Sequence, residues 1–437
     1  MPLIPKQLAL AMTLILGATS AQYVQARGDM EPEQDTDEPL FVHRGKADAP
    51  IKPAFHRPDF RFANQAVSQN ALSAARALDS TVQAALASDE VDYGTKQDIR
   101  RYLWRLNGLE PGQLGVVLEQ LAGSQNANLG TATQNNMRQL NASLLSAIRQ
   151  VDGDTQEGGR VWFQALGNTG KLDAQDGNDG LKQRDKGLLL GADWSIDHVW
   201  RAGAVGGKSD SDLSAKRFKG EVDSWHLGAY GVRQDGPLAL RLGALYSRHA
   251  GQNKRAVDVN FLDHRENLTG SYKAQSQNIF AETGYQIDTG GLRAEPFAGV
   301  GFQRYHRDRF QEKGGHTALN VGSQTQQNLS STFGLRLTKD FSLDNQLTLT
   351  PHLSTSWKHL YGNVDSSVRQ SFAWEEIASF TEGFTIGGTS LDRNSLAMRT
   401  GLDMALSNEH SVGLTYSAEF GSNSRNQGLM GQWAMAF

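Results

Sequence analysis

The 437-residue chain has no cysteine, only 11 prolines and, beyond its first segment, no long apolar run. Without cysteine there is no disulfide and no thiolate metal site. The same absence suits a chain that stays unfolded while crossing an oxidising compartment. A helical membrane span needs about 18 or more consecutive apolar residues, so helical spans are excluded. Charge of one sign is also lacking: a formal net charge of -4 offers nothing that would recruit nucleic acid. The mean hydropathy of -0.48 resembles that of a soluble protein. A membrane-spanning strand, however, needs only about 9–11 residues and shows only alternate ones to lipid. Glycine is what abounds, with 46 residues, and with regularly spaced short apolar segments it points to an all-β fold.

The first segment has the form of an export signal. Lys6 supplies a basic start, Leu8 to Ala18 is an apolar core too short to span, and small residues offer cleavage after Ala21 or Ala26. Residues 27–62 hold five of the eleven prolines, many charges and no period, which reads as a disordered linker. From about residue 64 to 122 the apolar residues recur at three- and four-residue spacing, and three or four short amphipathic helices are expected. A further helix is expected over 135–151, where Leu140, Leu144, Leu145 and Ile148 form a stripe opposite Arg138, Asn141 and Arg149. At about 1.5 Å per residue it would be roughly 25 Å long, close to the depth of a membrane's apolar layer.

From Val161 the period changes to two and stays there. Val412, Leu414, Tyr416, Ala418 and Phe420 share one face against Gly413, Thr415, Ser417, Glu419 and Gly421. Twelve such strands are expected, at 160–169, 186–196, 198–208, 221–234, 237–249, 275–288, 291–306, 325–340, 345–361, 395–407, 410–422 and 426–437. Most are about ten residues or more, where soluble strands average about five or six. Trp225, Tyr246, Trp357 and Tyr361 stand towards the ends of apolar faces, as an interfacial girdle would. Charges on the other face would not be tolerated in a dry sandwich core. Tight turns at Asp235-Gly236, Thr289-Gly290 and Asn408-Glu409 alternate with long polar links at 250–274, 307–324 and 362–394. The expected fold class is therefore an all-β, twelve-stranded antiparallel transmembrane β-barrel with a lumenal α-helix and a short N-terminal helical segment. Alternation turns Glu282, Arg293, Glu295, Arg336, Arg399, Asp403 and Glu419 inwards, as lumenal charges that hydrate a passing chain, pair with one another, or both.

The last strand places Leu429, Gly431, Trp433, Met435 and Phe437 on one face, with Phe437 as the terminal residue. Trp433, Met435 and Phe437 resemble the signal that the outer-membrane barrel-assembly machinery reads by strand pairing. Together with Gly159 to Trp162, Gly187 to Asp193, Trp225 to Gly231, Ala281 to Tyr285, Glu295 to Ala298, Phe384 to Gly388 and Leu391 to Arg393, they give the chain a resemblance to the translocator β-domain of autotransporters, the type V self-secretion proteins. The resemblance runs from about residue 64 to the end. It implies a twelve-stranded barrel threaded by one helix, which joins it to a secreted passenger. The implied plan is an export signal at 1–26, a linker or short passenger remnant at 27–62, a helical segment at 63–130, a pore helix and linker at 131–159 and the barrel at 160–437.

That plan implies an outer-membrane location after export through the inner membrane. Expected partners are outer-membrane lipid and lipopolysaccharide, the assembly machinery and periplasmic chaperones, with no nucleic acid, no cofactor and no metal, in a monomer. Only about 35 residues separate the signal from the helical run, too few for a β-helical passenger of at least three coils of about 20 residues. The expected function is export or display of the chain's own short N-terminal segment. Some members of the family cleave the passenger between adjacent asparagines in the pore helix, and Asn135-Asn136 is such a pair, placed at the start of the expected helix without the flanking motif. The rival readings are an outer-membrane enzyme and a porin-like channel. The first has His264, His306, His316, Asp263, Asp308 and Glu312 in its outer loops but no nucleophile elbow and no His-Glu metal motif, so no enzymatic activity is expected. The second has no use for the helical segment.

Overall fold

The computed structural model describes residues 61–150, 158–175, 177–259, 264–344 and 347–437. The expected signal at 1–26, nearly all of the 27–62 stretch and residues 151–157 lie outside the described residues.

Four helices open the described chain: α1 (Gln69–Ala87), α2 (Tyr93–Asn107), α3 (Pro111–Ala122) and α4 (Gln125–Arg149). Their starts follow from local chemistry. Ser68 and Asp92 accept hydrogen bonds from the backbone N–H groups of Ala71 and Thr95, each at 3.1 Å. At α3, Pro111 stands in the first turn and Gln113 closes a capping box with Glu110. Gly123 ends α3 at φ +57, a left-handed conformation that lets the chain bend directly into α4.

Strands follow as β1 (Gly159–Leu172), β2 (Leu181–Ser195), β3 (Trp200–Ala215), β4 (Phe218–Asp235), β5 (Leu238–Val259) and β6 (His264–Tyr285). Next come β7 (Ile287–Thr289), β8 (Leu292–Arg307), β9 (Phe310–Lys313), β10 (Leu319–Val321), β11 (Gln324–Lys339) and β12 (Phe341–Asp344). The last are β13 (Leu347–Tyr361), β14 (Ser367–Phe372), β15 (Phe384–Gly387), β16 (Asn394–Ala405), β17 (His410–Gly421) and β18 (Ser424–Ala436). Twelve of them form the wall: β1 to β6, β8, β11, β13, β16, β17 and β18, each antiparallel to the next. β1 pairs with β18 from Arg160↔Ala436 to Leu172↔Ser424, which closes the barrel and leaves no edge. Phe437 completes the seam: its N–H donates to the Gly159 carbonyl and its own carbonyl accepts from the Gly159 N–H, both at 2.9 Å.

The expected strand count and closed barrel are what the structure shows. Outside faces lipid, with Leu190, Trp194, Trp225, Leu227, Ile279, Phe333, Trp357 and Leu414 among the exposed apolar residues. Tight turns lie at one end, with Gly236, Gly290 and Gly291 at positive φ. By the rule for such barrels that end is periplasmic and the end with long connections is external.

Those external connections are more ordered than loops. β5 and β6 stay paired from Leu238↔Tyr285 to Val259↔His264, so most of the expected link at 250–274 is strand. β9, β10, β14 and β15 pair into a small sheet over the mouth. Helices α1 to α3 pack on it, and Leu78, Leu118, Tyr272, Leu319, Phe372, Phe384 and Ile386 share one apolar core. This core explains the long hairpin: the outer parts of β5 and β6 have a cap to pack against.

Candidate functional site

The lumen is occupied by α4, whose 25 residues span about 37 Å. It starts at Gln125, ten residues before the expected helix over 135–151. Its first half, from Gln125 to Gln134, is bound by polar groups. Gln183, Gln324 and Gln303 of the wall donate to the α4 carbonyls of Ala132, Ala127 and Gln134 at 3.1, 3.2 and 3.2 Å. The Asn128 carboxamide oxygen accepts from the Thr389 N–H at 2.6 Å, and Thr131 donates to the Thr389 carbonyl at 2.9 Å. Here Gly388 matters: a Cβ on it would stand 2.9 Å from the Ala127 carbonyl carbon, so only glycine lets this loop lie on the helix. In the second half, Met137, Leu140, Leu144 and Ile148 pack against Trp162, Leu189, Val205 and Phe280 of the wall. The apolar stripe thus faces one side of the lumen and the charges face the other.

Three charged groups lie on that inner surface. Glu282 and Glu295 meet Arg149 of α4 and Arg241 and Arg336 of the wall. Arg149 Nε donates to Glu282 at 3.0 Å, and Arg241 and Arg336 each reach Glu295 at 2.6 Å. Phe297 lies under two of the guanidinia, at 5.4 Å from Arg149 and 4.6 Å from Arg336. Glu419 forms the second group, with Arg138 at 3.7 Å, Lys358 at 3.8 Å and Ser395 at 2.8 Å. The third centres on Asp193, fully buried, which takes Arg160 at 2.8 Å, Arg201 at 3.0 Å and the Tyr230 hydroxyl at 2.7 Å. Arg160 also donates to the Ala147 carbonyl at 3.1 Å, tying the last turn of α4 to the first strand. A cavity of about 120 Å³ remains beside the helix, lined by Arg138, Arg149, Lys358, Arg399 and Glu419.

The structure brings Glu282, Glu295 and Arg336 into one network, Glu419 into a second, and Arg399 onto the wall of the remaining cavity. Asp403 stands apart, bound by Gln150 at 2.8 Å and His352 at 3.1 Å near the end of α4. Arg293 joins neither network: it pairs with Asp340 at 3.2 Å at the periplasmic rim. Asn135 and Asn136 lie mid-helix, a correction to their expected place at its start. Asn135 accepts from Arg138, and Asn136 donates to Ser211 at 2.9 Å. Phe437 and Trp433 lie in and beside the seam: Trp433 is opposite Phe163, and Met435 opposite Val161. Asp193, Arg160, Arg201 and Arg241 were not among the expected lumenal charges. Their signal was present, because alternation from Leu189 through Gly191 puts Asp193 on the inner face. Among the outer-loop polar residues, Glu312 is taken by Arg255 at 2.6 Å, a structural pair between the long hairpin and the mouth sheet.

The model of the autotransporter β-domain matches residues 161–417, more than half of the chain. An extracellular serine protease of Serratia marcescens is 26% identical over 324 residues, 72% of this chain and 30% of that protein. A second extracellular serine protease of that organism matches with the same identity and coverage. The chain therefore spans 30% of the length of the curated relatives it matches. Among solved structures, the translocator domain of the autotransporter NalP from Neisseria meningitidis superposes with a TM-score of 0.55 at 18% identity, covering 71% of this chain and 99% of that one. The β-domain of the Bordetella autotransporter BrkA gives 0.48 at 19% identity, over 64% of this chain and 100% of that one. The NalP likeness shows the shared fold. The matched domain is the translocating, non-catalytic part of such proteins, and it places the barrel in the outer membrane. By the extent of the family match, this chain belongs to the autotransporter β-domain family of type V secretion.

Proposed function

We propose that the barrel carries the chain upstream of α4 to the cell surface and keeps residues 62–122 there as a folded cap. One observation supports this reading above the others. Helix α4 enters the lumen at the external mouth, where Gln120 and Asn126 meet Arg255 and Glu312 of the wall and mouth, and ends near Arg160 at the periplasmic rim. In this reading, the chain upstream of α4 passes through the lumen before the helix fills it. Lumenal glutamines, arginines and carboxylates supply hydrogen bonds for a chain in transit and then for the resting helix. A protease segment of the kind the Serratia relatives are named for would travel the same route if joined upstream of the cap. Assembly begins, in this reading, with periplasmic chaperones and with recognition of Trp433, Met435 and Phe437 by the barrel-assembly machinery, and the product is a monomer.

The absence of cysteine makes the test direct. Single cysteines replace Trp104 on α2, which is 71% exposed, and Asp197 in the β2–β3 turn. A membrane-impermeant maleimide applied to intact cells should label position 104 and spare position 197. Labelling of 197 alone, or of neither in intact cells but both in lysed ones, would refute surface display of the cap.

A further inference from the structure

The lipid-facing wall is not evenly convex. On β4, β5 and β6 it exposes Ala229, Gly231, Ala244 and Ala281, and beside these small residues rise Ile279, Val300, Phe302 and Leu329. The register shows how the hollow forms. Ala229 lies opposite Ala244, which lies opposite Ile279, which lies opposite Phe302. The result is an apolar groove of about 550 Å³ on the outside of the barrel.

Immediately above it, towards the external end, the same strands turn cationic. Arg304 is one outward position beyond Phe302, Arg248 is two beyond Ala244, and Lys273 is three beyond Ile279. Each outward step is about 7 Å, so the three charges begin where the apolar wall ends and extend over the headgroup depth. Amides and a hydroxyl stand between them: Gln277 is opposite Arg304, and Tyr246 donates to Gln275 at 3.1 Å while its ring carries Arg248 at 5.9 Å. Among the described residues, Arg248, Lys273 and Arg304 have no carboxylate partner. The neighbouring wall differs, since on β3 and β4 Lys208 is taken by Asp210 at 3.1 Å and Asp223 at 3.9 Å.

Resting on the outer-membrane reading above, we infer that this face of the barrel holds one phosphorylated, multiply acylated glycolipid of the outer leaflet, of the lipid A type. Its acyl chains lie in the groove over Ala229, Ala244 and Ala281, and its phosphates meet Arg248, Lys273 and Arg304. The occupant follows from both halves of the site. An apolar hollow alone accepts any lipid chain, and cations above it select a headgroup with more than one phosphate.

The test uses the full chain purified in detergent, titrated with bisphosphorylated lipid A, its dephosphorylated form and phosphatidylglycerol, with retained lipid counted by native mass spectrometry. The unaltered protein should retain bisphosphorylated lipid A best. The Arg248→Ser, Lys273→Ser, Arg304→Ser series should weaken that binding about fivefold for each cation removed. Ala244→Phe should weaken binding of all three lipids by filling the groove. A heat-shifted band on unboiled gels identifies folded barrels, and the comparison of the three lipids needs no variant. Equal retention of phosphatidylglycerol and lipid A, or a triple variant that binds like the unaltered chain, overturns the inference. A barrel whose cap is labelled at the surface but that shows no lipid A preference overturns this inference alone.

Discussion

The plug should loosen most when Glu282 becomes glutamine. In the closed lumen its carboxylate takes Arg149 of α4 bidentately and stands 3.3 Å from Arg241 and 3.4 Å from Arg336, with its side chain only 5% exposed. Glutamine keeps the shape but leaves Arg149 without its carboxylate and Arg241 and Arg336 with Glu295 alone. Removing one partner of a buried ion pair costs about 3–5 kcal/mol. Two of the three arginines belong to the wall, so part of that cost falls on the barrel and about 2 kcal/mol on the seat of the helix. The ratio of open to closed lumens should then rise about thirtyfold. Single-channel recording in planar bilayers reads this as more frequent partial openings, each narrower than the helix's own width of about 10–12 Å because the thread stays in the lumen. Arg149→Met takes the charge from the helix side and leaves Glu282 with its wall partners, so its effect should be smaller. In the double variant the two effects should fall short of their sum, because the shared contact is lost only once. Equal open probabilities for Glu282→Gln and the unaltered protein, or strictly additive variants, would refute the idea that this network seats the plug.

Asp193→Asn should destabilise the barrel by about 3–5 kcal/mol, since Arg160 and Arg201 lose a fully buried counter-ion. Urea titration followed by the heat-shifted band measures it, and a change below about 1 kcal/mol would show that the pair is idle. Deleting Phe437 removes two seam hydrogen bonds, worth about 1 kcal/mol each, so barrels refolded in detergent should be only slightly weaker. Assembly in cells should fall much further, and an equal loss in both settings would argue against a recognition role for the terminal residue. In the periplasmic β2–β3 turn, the N–H groups of Val199 and Trp200 hold the Asp197 carboxyl below its usual 3.8. A lowered value means that the turn contact persists above that pH and fades as pH falls through the lower folded value. The amide shifts of Val199 and Trp200 should therefore titrate with a midpoint under 3.8, and a midpoint above it would contradict the hydrogen bonding described.

Legibility in the sequence followed the solvent on each face. Where one side of a strand meets lipid and the other a polar lumen, alternation is enforced residue by residue, and Val412 to Phe420 reveals itself without any tertiary knowledge. The upper parts of β5 and β6 escape that rule. There the outer face meets water, and the inner face carries Asn253, Arg255 and Glu266 against a cap that only the fold supplies, so 250–274 reads as a loop. The start of α4 is hidden for a related reason. Gln125 to Gln134 has no broad apolar stripe because its surroundings are glutamines and backbone groups of the wall, and a helix buried among polar groups loses the period that marks one buried in a core. Arg293 shows the converse error: alternation gives its face correctly but not its height, and at the rim it finds Asp340 in place of the network around Glu282. Asp193 reads from the sequence only as one polar position on the inner face of the 186–196 strand, because the two arginines turned towards it stand on neighbouring strands.

The cap and the helix beneath it also make a mechanical device. A compact body the size of residues 62–122 is roughly 25 Å across, about twice the width of the lumen that α4 fills. The arrangement is that of a rotaxane: a thread through a closed ring, with a stopper on one end and a covalent join to the ring on the other. Such a thread is retained by shape. Every polar contact along α4 could be weakened in turn and the chain would still not slip through the ring while Leu78, Leu118 and their neighbours stayed packed. Its anchorage is then set by how hard the cap is to unfold, a quantity that force spectroscopy pulling from the periplasmic side would read directly.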